Sequence, residues 1–230
     1  MPRQRDFAPA TTEPLLATRR PSEPYNTVRL TSLATQDSRY PFDIARRGDV
    51  TEMFALLKQH PSIWQLKDES GCTALHAAAS SGAMDVGQLL LQAGVAVREA
   101  DHDGWEALHY ACANGHYGFA AWLLQCGASL DARTDEGWQP IHVAAHTGQT
   151  QLARYLAAQG ADLRARTTTG HEAMHLAVDA GALDFVQWLL RATGGAAATS
   201  EDSDGWLPVH NAGESTPDAA CALHVLLCLL

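Results

Sequence analysis

A glycine recurs every 33 residues along this chain, at Gly71, Gly104, Gly137 and Gly170, and once more at Gly205 after 35. A histidine follows each of them by five residues, at His76, His109, His142, His175 and His210. A second glycine, at Gly82, Gly115, Gly148 and Gly181, closes the segment that opens there. Leu90-Leu91, Leu123-Leu124 and Leu189-Leu190 hold one place in the segment that follows, with Leu156-Ala157 at that place in its own unit. Four columns in register at such a period mean stacked copies of one supersecondary unit, none of which buries its apolar face alone.

Each unit divides into a short stretch of small residues, as in Ala77-Ala78-Ala79 and Ala144-Ala145, and a bulkier one. Val86, Leu90 and Leu91, or Phe185, Leu189 and Leu190, recur in the second stretch at helical spacing, so the stack itself is the core. The helix starts read Thr73-Ala74-Leu75-His76, Glu106-Ala107-Leu108-His109, Gln139-Pro140-Ile141-His142, Glu172-Ala173-Met174-His175 and Leu207-Pro208-Val209-His210. They resemble the Thr-Pro-Leu-His-x-Ala start of the ankyrin-repeat family, and the resemblance covers about residues 38–230. It implies an all-α solenoid of about six units, each a β-turn plus a helix-turn-helix, in which the recurring histidine ties adjacent turns together. The units fall at 38–67 (an N-terminal cap lacking the turn motif), 68–100, 101–133, 134–166, 167–201 and 202–230. Only Pro140 and Pro208 retain the proline suited to a first helical position, and only Thr73 the threonine, so the middle units are expected to be less stable than a consensus array.

The net charge of -10 divides unevenly, about +1 over residues 1–37 and -11 over 38–230. Phosphate backbones are bound chiefly by Lys and Arg, so an acidic array is a poor nucleic-acid binder. Cys72, Cys112, Cys126, Cys221 and Cys228 are odd in number and lack C-x-x-C spacing, which points to buried thiols in a reducing compartment, cytoplasmic or nuclear. No apolar run reaches the length of a membrane span, and residues 1–37 lack the apolar core of a signal peptide. That segment, with five prolines and no periodicity, reads as a disordered tail. Within it Arg19-Arg20-Pro21-Ser22-Glu23-Pro24 resembles a basophilic-kinase site and, once Ser22 is phosphorylated, a 14-3-3 ligand, because an Arg cluster grips the added phosphate. Leu15-Leu16 reads as two tail leucines rather than a sorting signal.

Two signals suggest chemistry. His171-Glu172-Ala173-Met174-His175 matches the H-E-x-x-H zinc-hydrolase motif, which needs both imidazoles on one face of a continuous helix. The glycine register instead places His171 in a turn and His175 in the first helical turn, leaving zinc a remote alternative. His142 and His146 stand four apart, but His142 belongs to the structural column. No cofactor is implied.

The informative residues are those the repeat does not demand. Directly after the turn glycine, where ankyrin arrays project variable side chains, stand Cys72, Trp105, Trp138, His171 and Trp206. Acids including Asp103 and Glu136 surround them, and Asn114, His146 and Asp179 match the concave end of the first helix. Indoles beside carboxylates suit a protein partner whose Lys or Arg residues alternate with apolar ones. Trp122 and Trp188 lie beside the leucine pairs and read as packing. Residues 192–200 read as a flexible loop, and the last unit runs to an apolar end at Leu230, expected either to be a truncation point or to be covered by a partner or further domain. The expected function is a protein-binding scaffold or adaptor. The alternative is the regulatory or substrate-recruiting module of a larger enzyme or membrane protein, such as a palmitoyltransferase or channel.

Overall fold

The structure, a computed structural model, describes residues 41–211. Among these residues the fold is helical throughout, with one isolated bridge between Ala100 and Glu106. The helices come in pairs: α1 (Pro41–Arg47) and α2 (Val50–Gln59), α3 (Ala74–Ser81) and α4 (Met84–Gln92), α5 (Ala107–Ala113) and α6 (Tyr117–Gln125). Then follow α7 (Pro140–His146) and α8 (Thr150–Ala158), α9 (Ala173–Asp179) and α10 (Leu183–Ala192), and finally α11 (Pro208–Asn211). Successive first helices pack on one another from α1 through α11, and α2 on α4 and α8 on α10 continue a second layer behind them. This is the solenoid that the period of 33 predicts.

Each first helix starts in the same way. Thr73, Glu106, Gln139 and Glu172 hold extended backbone at the N-cap; Thr73, Glu106 and Glu172 accept the amide of the histidine three residues on, that of His142 goes to the Gln139 backbone carbonyl, and in all four the histidine's Nδ1 accepts the cap's own N–H. Two amides that a helix start would leave unpaired are satisfied reciprocally. Small residues then bring neighbouring first helices together: Ala77, Ala78, Ala111, Ala144, Ala145 and Ala177 are all buried. The second helices contribute the volume, with Phe119, Leu123, Leu152, Leu156, Phe185 and Leu189 buried between layers. Trp122 and Trp188 stand edge-on to Phe119 and Phe185 at 5.1 and 5.2 Å and are half-buried there. Trp64, in the first unit, packs on the same core.

The first unit turns charged residues outward, beside an exposed Phe54. Met53 is buried, whereas Arg46, Arg47 and Lys58 are exposed and Arg47 pairs with Glu52 at 2.9 Å. Residues 192–200 differ from the expected flexible loop. Gly194 and Gly195 take positive φ, and Ala196–Thr199 close a 3-10 turn that buries Ala197 and Ser200. The Thr193 hydroxyl holds this turn by accepting the Ala197 amide at 3.4 Å, so the two extra residues of the period are absorbed in packed structure.

The N-cap column is unevenly satisfied. The Glu172 carboxylate, 1% exposed, meets Arg164 at 3.1 Å and Arg166 at 3.5 Å and accepts the Ser200 hydroxyl at 2.9 Å. Glu106 Oε2 is buried with no such partner, and burial raises that group's pKa against the opposing pull of Arg98. A raised carboxylate pKa means the folded state disfavours the charge, a cost present above the usual range and relieved as pH falls. Glu106→Gln keeps the cap acceptor and removes the charge. It is expected to raise Tm at pH 7 by about 1–2 °C, the scale for about 0.5 kcal/mol in a chain of this size; a lowered Tm in a thermal melt would refute the assignment.

Candidate interaction surface

Between the helix pairs the chain projects five fingers, each folded by one residue. Asp68 and Asp101 accept the amides two and four residues on at 2.9–3.0 Å, and Asp202 accepts those of Asp204 and Trp206 at 2.9 and 2.8 Å. Thr134 and Thr167 do the same through their hydroxyls, to Trp138 and His171, each at 3.1 Å. These side chains are spent on the turn. Glu69, Asp103, Asp135, Glu136 and Asp204, by contrast, are exposed on the tips.

Neighbouring fingers are joined by backbone. His102 N–H donates to Ser70 O at 2.9 Å, Asp135 N–H to Asp103 O at 2.9 Å, Thr168 N–H to Glu136 O at 3.0 Å and Ser203 N–H to Thr169 O at 3.2 Å. The histidine column braces them from behind. His76 Nε2 faces the carbonyls of Glu99 and Trp105 at 3.0 and 3.1 Å, and His109 Nε2 those of Ala132 and Trp138, both at 3.2 Å. His142 reaches Ala165 O at 2.9 Å and His175 reaches Trp206 O at 3.2 Å. Since Nδ1 accepts an amide in every case, the proton lies on Nε2 and the ring is neutral. Burial drives the pKa of His109 and His142 down to about 4 and lowers those of His76 and His175, with the backbone carbonyls pulling the other way.

On this frame the candidate residues separate. Trp105 and Trp138 are half-buried: Trp105 tilts over Tyr110 at 5.5 Å and His109 at 5.8 Å, and Trp138 meets His146 edge-on at 5.4 Å. Trp206, 40% exposed, keeps only His210 beside it at 5.8 Å among the described aromatic rings. Cys72 corrects the expectation of a projecting side chain. It is buried, with its sulfur 3.6 Å from Asp101 Oδ2 and 3.2 Å from the Tyr110 hydroxyl, because so short a side chain lets the next finger and Tyr110 close over it. Tyr110 is the residue the sequence should have flagged. It is the one aromatic in a column otherwise filled by Ala77, Val143, Leu176 and Asn211, and it stays half-exposed between two fingers.

Asn114 is exposed but also caps α5, donating to Tyr110 O at 2.9 Å. His146 and Asp179, at the ends of α7 and α9, are partly exposed; burial lowers the His146 pKa and Asp179 opposes it. His171 lies in the turn before α9, with Nδ1 2.8 Å from the Thr169 hydroxyl and Nε2 3.3 Å from Asp202. His175 has both nitrogens engaged and Glu172 is locked by two arginines, so H-E-x-x-H here builds a helix cap and leaves no ligand set for zinc. Among the described residues no three His, Cys, Asp or Glu side chains cluster as metal ligands, and no helix is long and apolar enough to cross a membrane. Ser22, Leu15-Leu16 and the apolar end from Leu223 to Leu230 lie outside the described residues.

The family model for ankyrin repeats in three copies matches residues 42–134 and 128–202. No curated protein matches the chain.

Proposed function

Because the chain belongs to the ankyrin-repeat family, whose repeats are generally protein-protein interaction modules, we propose that it is a binding scaffold that captures its partner on the finger tips and the adjoining concave face. The observation that carries this is the glycine-following column, where half-buried Trp105 and Trp138 and exposed Trp206 stand beside the exposed acids Asp103, Glu136 and Asp204. Indoles partly fixed by their own unit lose little freedom on binding, and such residues dominate binding energy at interfaces. The acids steer a partner of opposite charge and select basic side chains that can also rest on an indole face. The partner is therefore a protein segment mixing Lys or Arg with apolar residues. An odd number of cysteines without C-x-x-C spacing supports a reducing compartment, cytoplasm or nucleus, as its setting.

Two variants test the surface. Trp105→Ala/Trp138→Ala/Trp206→Ala should retain helical circular dichroism and lose the proteins that wild type captures from a cell extract, as identified by mass spectrometry. Asp103→Lys/Glu136→Lys leaves the indoles in place and should lose the same proteins by reversing the field. Retention of those proteins by both folded variants would move the partner site elsewhere.

A further inference from the structure

Three fingers repeat one short triplet: Asp103-Gly104-Trp105, Glu136-Gly137-Trp138 and Asp204-Gly205-Trp206. The other two depart from it, with Ser70-Gly71-Cys72 on the first finger and Thr169-Gly170-His171 on the fourth. At the place before the turn glycine the second, third and fifth fingers thus each carry an exposed carboxylate and, two residues on, an accessible indole, while Asp135 on the third finger and Glu69 on the first are exposed acids one place earlier. The first offers a buried thiol, and the fourth an imidazole held by Asp202. The backbone rungs described above join equivalent places in successive fingers, so these pairs stand on a single ruler rather than on independent loops. Its spacing is that of the packed first helices, about 8–10 Å.

That spacing selects a conformation. A polyproline II segment turns once in three residues and rises about 9 Å per turn, so every third side chain returns to the same side one finger further on. A β-strand covers the distance in about three residues but alternates its faces, and would turn every second contact away. An α-helix needs about seven residues per finger. Aromatic-lined surfaces favour the polyproline form as well, because proline rings lie flat on indoles and little chain entropy is lost.

Resting on the assignment of this surface as the partner site, we propose that its occupant is a proline-rich segment in the polyproline II conformation with basic residues at i, i+3 and i+9. The basic residues meet Asp103, Glu136 and Asp204, and prolines one position along meet Trp105, Trp138 and Trp206. Position i+6 faces Thr169 and His171 and is neutral. The spacing, rather than the total charge, is the recognised feature.

Fluorescently labelled synthetic peptides titrated with the full chain test this by anisotropy. The matched peptide carries Lys at the first, fourth and tenth positions, each followed by Pro. A shuffled peptide has the same composition with its lysines adjacent, and a helix-forming peptide has Lys seven apart. The matched peptide should bind about tenfold or more tightly than either of the others. Glu136→Gln should weaken it severalfold, while leaving unchanged a peptide whose fourth-position Lys is replaced by norleucine. Equal affinity for matched and shuffled peptides, with both lost in the triple Trp variant, overturns the spacing but leaves the surface intact. A tighter helical peptide, or no binding of the matched peptide up to about 1 mM, overturns the proposed occupant. Binding of the matched peptide that survives the triple Trp variant overturns the surface itself.

Discussion

Between pH 6.5 and 4 this array is expected to lose its helices in one steep transition. His109 and His142 are neutral in the fold, with pKa values near 4 against an ordinary 6.5, because they are buried. A depressed histidine pKa gives stability that is complete above about pH 6.5 and drains away as pH falls towards the folded value, since the unfolded chain takes up the proton first. Two and a half units correspond to about 3 kcal/mol for each ring. The pair alone therefore approaches the whole stability of an ordinary domain, about 5–15 kcal/mol. His76 and His175 shift in the same direction. The geometry supplies a second reason: a proton on Nδ1 would face the cap N–H that this atom accepts at 2.9–3.2 Å in all four rings. Circular dichroism followed during acid titration reads the transition. A His142→Asn variant, with no ring to protonate, should reduce its steepness, and an array still helical at pH 3.5 would show that the rings tolerate charge.

Gly137→Ala and Gly160→Ala form a matched pair with unequal outcomes. Both glycines have positive φ, 78° and 101°, so either substitution meets the left-handed penalty of about 1–2 kcal/mol. At Gly160 a new Cβ finds nothing within 4 Å, and the penalty stands alone. At Gly137 it would lie 2.8 Å from the Thr168 nitrogen, the donor of the rung to Glu136 O. That neighbour is backbone and cannot swing aside, so the rung must open and the Thr168 hydroxyl bond to the same carbonyl, 2.8 Å, goes with it. Gly160→Ala should lower Tm by about 2–5 °C, and Gly137→Ala by about 6–12 °C together with faster exchange of the Thr168 amide. Equal shifts for the two variants would mean that the rungs contribute nothing to stability.

Much of this architecture was legible because repetition isolates what the fold demands. The histidine column and the turn glycines occur at one register in every finger, and only a structural requirement explains five copies. The candidate surface was legible as a column but not as a set of exposures. Position after the glycine says where Cys72 and Trp105 start; what covers each depends on the next unit, on Asp101 and Tyr110 closing over a short thiol. The acids divided for a similar reason: sequence places Asp101 and Asp103 two residues apart, and only the folded finger shows one buried and spent on the turn and the other exposed. Glu106 and Glu172 occupy one column and differ because Arg164, Arg166 and Ser200 converge on the second. That convergence depends on the two-residue excess before the fifth finger, read from sequence as slack and found to be packed.

The bonds that tie the histidines to later carbonyls span 23 to 31 residues, and the finger rungs 32 to 34. None of these ties skips a unit, so the chain closes only short loops on its way to the native state. Topologies built from near-neighbour contacts form quickly, and in linear arrays order can start at one pair of units and spread outward. During synthesis the earlier units have every partner they need as soon as the following unit emerges. The fingers that would hold a partner can thus be in place before the last of the chain has been made.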